Sequence, residues 1–588
     1  MLLFVGCSSP SASASNKGSA SGGAQLAAVD NSVTVWSTLA TEKVRQDNPN
    51  GDYLRNGAEI FATTAKGEYE GYQLMLSSSS NSVWGIDLVT ADLTLQSNPS
   101  VKFYKEQIEV FFEKYLYLTR TWEGSESIFV ANGRYPDALP PLSSVIEKGE
   151  NVMDANKNQG LYVRFNVPQN QHAGTYSGTF KLKFNGGEMD IPVSLTVVDL
   201  VISNETHSRS QFAADWHIRY GELDSSQEMY EKYVNAGFEY RVSPTVSVPD
   251  VNYDDAGLDY YIDRAVEMMK NPRCTTMEIP TRKLYLENVP IVDRNGNKIT
   301  VYNVNGGTMS GNPVTLSAVG IDEALLENFL NKMIDRAFQD QATTGSQYIK
   351  KLCTHLVDEP GWKVDGLGDV DAFYECIVSN QTFRRTLWRV ADALRATSRG
   401  QTAFGEQIAQ DIENIAYYST VEYDSRYVPA VDYWCPLVSW YDGRVSNYDS
   451  QREKWWYTCI SPRAPHPTYH IDDRLYSARV MSWMQAEFNV VGNLYWATTV
   501  YANYTQDGVY EMIDDFYTGN GERFYQCNGD GYLFYPGKPY GVDGPIGSIR
   551  LEAIRDGLEE YEIFYQLKQE YWARGEDPSS VIRNLCAP

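Results

Sequence analysis

Polar and apolar positions change rhythm once along the chain. Between residues 28 and 205 they fall into strand-length runs, among them YEGYQLMLSS, GLYVRFNVP, GTYSGTFKLKF and MDIPVSLTVVDLVI. Several alternate polar with apolar, as half-buried strands do, and Gly, Asn and Pro punctuate them. Many short strands separated by turn signals predict an antiparallel β-sandwich domain over 28–205. From about residue 206 helical periods alternate with short apolar strands. In IDEALLENFLNKMIDRAFQD (321–340), Ile321, Leu325, Phe329, Met333 and Ala337 recur at every fourth position and share one helical face. The strand-like KKLCTHLVDEP follows, and then a helical stretch over 371–396. Near the C-terminus, Leu551, Ile554, Leu558, Tyr561 and Tyr565 repeat at helical spacing, which leaves the charges of 550–560 on a solvated or ion-paired face. This alternation over 206–588 predicts a (β/α)8, TIM-like barrel, giving a multidomain β plus α/β chain. An open doubly wound sheet is the alternative, but no GxGxxG or phosphate loop supports it. The segment 291–312 reads as a hairpin-like insertion that could overhang the barrel mouth.

The first 27 residues have another character. MLLFVGCSSPSASASNKGSASGGA joins a short apolar stretch to Gly6–Cys7 and then to a Ser/Ala/Gly tract. It resembles a bacterial lipoprotein signal with a flexible tether, in which Cys7 is the lipidation site. The bland alternative is a disordered tail with an incidental Cys. The lipoprotein reading makes the protein exported, at the bacterial cell surface or in the periplasm, and membrane-bound only through that lipid. No later run reaches the roughly 18 apolar residues of a membrane span.

Charge and composition narrow the partners. The 588 residues carry 50 Lys and Arg against 76 Asp and Glu, a net charge of −26. Such a field repels phosphate, which argues against nucleic acid and anionic membrane surfaces. The 42 Tyr and 13 Trp suit a carbohydrate-active protein, since sugar C–H faces pack on aromatic rings, although any one ring is more often core. Eight widely spaced Cys without a CxxC, and six His without an HExxH, signal neither a zinc site nor a disulfide-dense scaffold. No metal or other cofactor is expected.

The chemistry concentrates in KLCTHLVDEPG (351–361), where Asp358 and Glu359 stand side by side before Pro360. In a regular strand, neighbouring side chains point to opposite faces, so the two acids could not share a pocket. At a strand end where Pro360 breaks the ladder, the backbone can turn and bring both to the barrel mouth, where barrel active sites lie. Adjacent carboxyls can then divide labour in glycoside hydrolysis, one as proton donor and one as stabiliser of positive charge. A solvated acidic turn is the other reading of the same residues.

Longer stretches bear on that choice. KGEYEGYQLML, AGTYSGTFKLKF, YRVSP, HLVDEP, the run WWYTCISPRAPHPTYHIDDRLYSARVMSWMQAEFNVVGNLYWATT, and GDGYLFYPG with GPIGSIRLEAIRDGLEEYEIF resemble glycoside hydrolase family 123. These are the β-N-acetylgalactosaminidases and related families sharing their catalytic domain, and the resemblance spans about residues 30–588. It implies a retaining enzyme that removes terminal β-linked N-acetylgalactosamine from glycans with the substrate's 2-acetamido oxygen as nucleophile. Asp358 would steady the acetamido group and Glu359 would act as general acid and then base. It further implies Trp216, Arg241, Trp434, Tyr495 and Trp496 as substrate-binding residues, while Arg479 and Trp483 read as structural. The alternatives are a barrel glycosidase acting on another glycan, and a catalytically silent glycan-binding lipoprotein.

Overall fold

The computed structural model describes residues 32–586 apart from 120–131, 215–217, 246–254, 281–284, 291–299, 343–344, 361–369, 505–509, 522–526 and scattered positions within 302–316, 426–451, 464, 514 and 520. The N-terminal part is built mainly on two sheets, with two short two-stranded ladders beside them. In the first, the strands Val33–Leu39, Tyr69–Ser78, Asn158–Asn166 and Ile108–Phe112 lie antiparallel in that order. The second runs Ile60–Lys66, Gly187–Val201, Gly174–Phe184, Leu93–Leu95 and Lys102–Phe103, with the first pair parallel and the rest antiparallel. Leu74, Leu76, Leu161 and Val163 of one sheet and Phe180, Leu182, Val193 and Leu195 of the other form one buried apolar cluster.

Tyr69–Ser78 lacks the polar-out alternation of a one-sided strand because both its faces are covered. Tyr72, Leu74 and Leu76 enter the shared core, while Met75 packs with Trp36 and Val44 on the other face. There Gln73 donates through Nε2 to the carbonyls of Leu39 (2.7 Å) and Glu42 (2.8 Å), tying down the loop that covers this face.

The remainder is built on parallel strands. Pro244–Thr245, Arg209–Ala213, Gly492–Tyr495 and Trp455–Thr458 form one four-stranded sheet, and Met277–Glu278, Leu352–His355, Ala416–Ser419 and Tyr433–Trp434 form another. Every pairing in both is parallel, which demands crossover connections, and helices supply most of them, although none lies among the described residues between Ser419 and Tyr433. Counted along the chain, the eight strands run 2-1-8-7 in one sheet and 3-4-5-6 in the other. Backbone pairing is continuous only within each set of four, so two sheets stand where a single closed ladder is expected. Hydrogen bonds span both seams: Thr275 N–H donates to Ser243 Oγ (2.8 Å) across one, and Tyr457 N–H donates to the Pro436 carbonyl (3.0 Å) across the other.

Local signals explain where several elements start. Helix Glu323–Gln339 begins at Asp322, whose Oδ1 accepts from Leu325 N–H (3.0 Å), so Ile321 belongs to the preceding strand rather than to the helix. Residues 350–351 of the predicted strand close a short helix instead, and the strand itself is Leu352–His355. The insertion before Asp322 is a set of nested hairpins, Tyr285–Pro290 on Ser317–Ile321, Thr300–Val301 on Val314–Thr315, and Val304–Asn305 on Thr308–Met309.

Helix Ile549–Ala573, capped by Ser548 Oγ on Leu551 N–H (3.2 Å), joins the two parts. Its charged face is buried and ion-paired, not solvated. Arg550 forks onto Asp137 through Nε and Nη2 (both 2.7 Å) and donates to the carbonyls of Tyr469, Gly529 and Tyr532. Glu552 takes Arg164 Nη1 (2.9 Å) and Tyr240 OH (2.9 Å), and Glu559 takes Tyr69 N–H (3.2 Å) and Arg241 Nε (3.3 Å). Breaking one partner of a buried pair strands the other charge, which costs about 3–5 kcal/mol. Arg550→Met is therefore expected to lower stability by about that amount in urea unfolding, and Arg550→Met with Asp137→Asn to recover part of the loss.

Candidate active site

The strand Leu352–His355 carries the chain through buried Leu356 and Val357 to the carboxylate pair at its C-terminal end. The turn expected from Pro360 falls one residue earlier, because Glu359 itself adopts a left-handed conformation with φ +42°. For a non-glycine residue that costs roughly 1–2 kcal/mol. The hydrogen bond from Glu359 N–H to Thr420 Oγ1 (2.7 Å) holds it there. Thr420 directly follows the adjacent strand Ala416–Ser419, so the neighbouring strand end fixes the turn.

The two carboxyls meet different surroundings. Asp358 projects into solvent, with its side chain 80% exposed, and accepts from Thr420 Oγ1 (3.2 Å) with His355 Nε2 3.7 Å away. Glu359 is half-buried, and its Oε1 accepts from Tyr457 OH (2.6 Å) at the end of another strand. Burial pushes the Glu359 carboxyl above its ordinary value; the Tyr457 hydrogen bond pulls it partly back, and the Asp358 charge pushes it up again. Burial rather than the neighbouring acid thus leads in raising it. Burial and the Glu359 charge hold the Tyr457 hydroxyl far above its usual range, so it remains a donor.

A second polar cluster stands at the same strand ends. Asp530 is fully buried and accepts from Trp496 Nε1 (2.9 Å) and Tyr495 OH (3.1 Å), while Gly531 N–H donates to that same hydroxyl (2.9 Å). Burial raises the Asp530 carboxyl, opposed by His470 and by its two donors. Cys459, just beyond the strand Trp455–Thr458, lies near both clusters: burial first, and then the charges of Asp530, Glu359 and Asp358, raise its thiol and keep it neutral. Gly531, at φ +84°, lies so close to the Trp496 ring that an added Cβ would come within 2.6 Å of it.

Of the residues expected to bind substrate, Trp496 lies half-buried beyond the strand Gly492–Tyr495 with its indole N–H fixed. Three others are corrected. Tyr495 is 1% exposed, edge-on to Tyr469, and its hydroxyl is engaged by Asp530 and Gly531, so it holds the site rather than touching sugar. Trp434 is 4% exposed beneath Tyr423 and Tyr427, which leaves no open ring face for a sugar. Arg241 is 0% exposed and lies before the strand Pro244–Thr245, at the end opposite the carboxylates, where it binds Glu559 and the Ser203 carbonyl. Trp216 and Cys7 lie outside the described residues. Arg479 and Trp483 both engage Glu560.

Sequence reasoning missed Tyr457, Thr420, His355 and Asp530. Only His355 had a legible signal, sharing strand parity with Glu359. Among the described residues no group of His, Cys, Asp and Glu is arranged to hold a metal ion, no helix is long and apolar enough to cross a membrane, and no disulfide is formed.

Residues 325–567 match the family described as "Glycoside hydrolase 123, catalytic domain". Among solved structures the fold is similar to a family 123 glycoside hydrolase from Clostridium perfringens, with a TM-score of 0.60 at 13% identity over 95% of this chain and 91% of that one. A pilin subunit of enterotoxigenic Escherichia coli (TM-score 0.14, 11% identity, 29% of this chain and 98% of that one) is too distant in fold to bear on the site. So is a PapD-like domain of a human protein (TM-score 0.15, 10% identity, 32% and 99%). No curated protein matches the sequence. The carboxylate pair, Thr420, Tyr457 and Asp530 all fall within the span that matches this catalytic-domain family.

Proposed function

We propose that the protein is a retaining glycoside hydrolase that removes β-linked N-acetylgalactosamine from glycans by substrate-assisted catalysis. The observation that carries this reading is the pairing of a half-buried Glu359 with raised proton affinity and a solvent-facing Asp358 on consecutive residues. A protein nucleophile and its acid would have to flank the scissile bond from two sides, about 5–5.5 Å apart. Consecutive side chains on one strand end suit one protonating and one orienting role. Glu359 gives its proton to the departing glycosidic oxygen, and Asp358 orients the acetamido N–H so that its carbonyl oxygen attacks the anomeric carbon. Glu359, now a carboxylate, takes a proton from the water that opens the oxazolinium intermediate, and two inversions give net retention. Trp496, its indole held by Asp530, offers a ring face to the sugar.

Wider features belong to the same proposal. The two parallel sheets form one (β/α)8 barrel over 206–588, preceded by a sandwich domain over 28–205. The structural relative's subject is glycolipid glycan hydrolysis, which favours a glycoconjugate as substrate. Cys7 anchors the exported enzyme to a membrane by lipid.

The wild type is expected to hydrolyse nitrophenyl β-N-acetylgalactosaminide and to leave the 2-hydroxy galactoside intact. Glu359→Gln should reduce kcat about 10²–10⁴-fold. Undiminished activity in that variant removes Glu359 as the acid, and equal hydrolysis of both glycosides removes the acetamido nucleophile.

The pH–rate profile gives a second check. Glu359 acts as the protonated acid, so kcat/KM falls as pH rises through its raised folded value. Tyr457→Phe deletes a hydrogen bond that favours the carboxylate, so the alkaline limb is expected to move to higher pH. A move to lower pH contradicts this electrostatic account.

A further inference from the structure

Thr420 Oγ1 sits at the junction of three hydrogen bonds that converge from the catalytic strand end. Glu359 N–H points at it (2.7 Å), Asp358 Oδ1 lies 3.2 Å away, and His355 Nε2 lies 3.1 Å away. A hydroxyl has one hydrogen to give and two lone pairs to receive. The amide can only donate, and the Asp358 carboxylate can only accept, so the single Thr420 hydrogen goes to Asp358. Toward His355 the oxygen must then accept, which places a proton on His355 Nε2. The direction of all three bonds follows from counting donors and acceptors at one buried oxygen.

The ring that supplies this third bond is itself fixed. The His355 imidazole stacks on Tyr418 (5.4 Å between centroids, 9° between planes), and Tyr418 stacks on Trp455 (4.9 Å, 15°). Room for the Trp455 indole comes from its register partner Gly492, where an added Cβ would lie 2.0 Å from the ring. Three aromatic rings from three strands thus set the plane in which His355 Nε2 meets Thr420.

We propose that Thr420, oriented by His355, is the positioning residue of the active site, aiming Asp358 and fixing the backbone turn that aims Glu359. The inference rests on the reading of Asp358 as the group that orients the 2-acetamido substituent. Without the hydroxyl, Asp358 keeps its charge and exposure but loses its fixed direction. A misplacement of about 1 Å at a reacting group costs about 10²-fold in rate. The loss should appear in kcat, because the acetamido group is aligned for attack only on the way to the transition state.

The test compares Thr420→Val, which has the same shape without the hydroxyl, with Thr420→Ser, which keeps it. With nitrophenyl β-N-acetylgalactosaminide, Thr420→Val is expected to lose about 10–100-fold in kcat with KM within about threefold, and Thr420→Ser to stay within about threefold of wild type. Combining Thr420→Val with Asp358→Asn should cost less than the product of the two single losses, because part of what Thr420 does runs through that carboxylate and the rest through the Glu359 amide. His355→Gln, which can keep a donor near Nε2, should retain more activity than His355→Phe. A 2-acetamido thiazoline, shaped like the cyclised intermediate, should bind Thr420→Val more weakly than wild type while free N-acetylgalactosamine binds both alike.

Full activity in Thr420→Val overturns the proposal. So does equal loss in the Ser and Val variants together with lowered thermal midpoints, which marks a purely structural role. Full additivity with Asp358→Asn also overturns it. Failure of the underlying reading looks different: wild type would cleave 2-hydroxy and 2-acetamido glycosides alike, whatever the Thr420 variants do.

Discussion

Arg550 holds the molecule together at the point where its two parts and its active site meet. One guanidinium, almost fully buried, spends its donors on both oxygens of Asp137 from the N-terminal part and on three backbone carbonyls from the loops beside the site. A buried ion is tolerable only when such pairing is complete, so the geometry around Arg550 admits little slack. Two of those carbonyls, Gly529 and Tyr532, flank Asp530, and Asp530 in turn fixes the Trp496 indole. The position of the Trp496 ring therefore depends on an ion pair made with a different part of the chain. This explains why the last long helix buries charge on a face that an ordinary amphipathic helix would leave in water.

The carboxylate pair shows the same economy of placement. Two consecutive acids are chemically equivalent in the sequence, and position alone makes them different. The left-handed turn at Glu359 tucks its carboxyl against Tyr457 while Asp358 remains in solvent. Desolvation leads in raising the proton affinity of Glu359, and the charge beside it adds to the rise.

Much of this architecture was legible in the chain because it is written in local patterns. Strand alternation announced the N-terminal sheets, fourfold spacing announced helix Glu323–Gln339, and a terminated strand announced the acids. What stayed illegible was non-local. The partners of Glu359 come from 61 and 98 residues away, and nothing in WWYT or AYYST distinguishes Tyr457 or Thr420 from packing residues. The failures at Arg241, Trp434 and Tyr495 have one cause. A residue type suited to sugar says nothing about which end of a strand it occupies or whether another ring covers it, and these three are buried.

The strain at Glu359 connects fold to chemistry. Pro360 disfavours the right-handed conformation for the residue before it, and an extended one would carry Glu359 onward along the strand line. The left-handed alternative is disfavoured for any side chain with a Cβ, so it persists only where surrounding bonds over-determine it. Here those bonds are the amide to Thr420 and the carboxyl to Tyr457, contributed by the ends of two other strands. The conformation that sets the acid in place is thus a property of the assembled sheets and not of the DEP segment. A free segment of the same sequence has no reason to adopt it. This is the physical sense in which the parallel strands, and the buried charges that lock the last helix against them, belong to the candidate site.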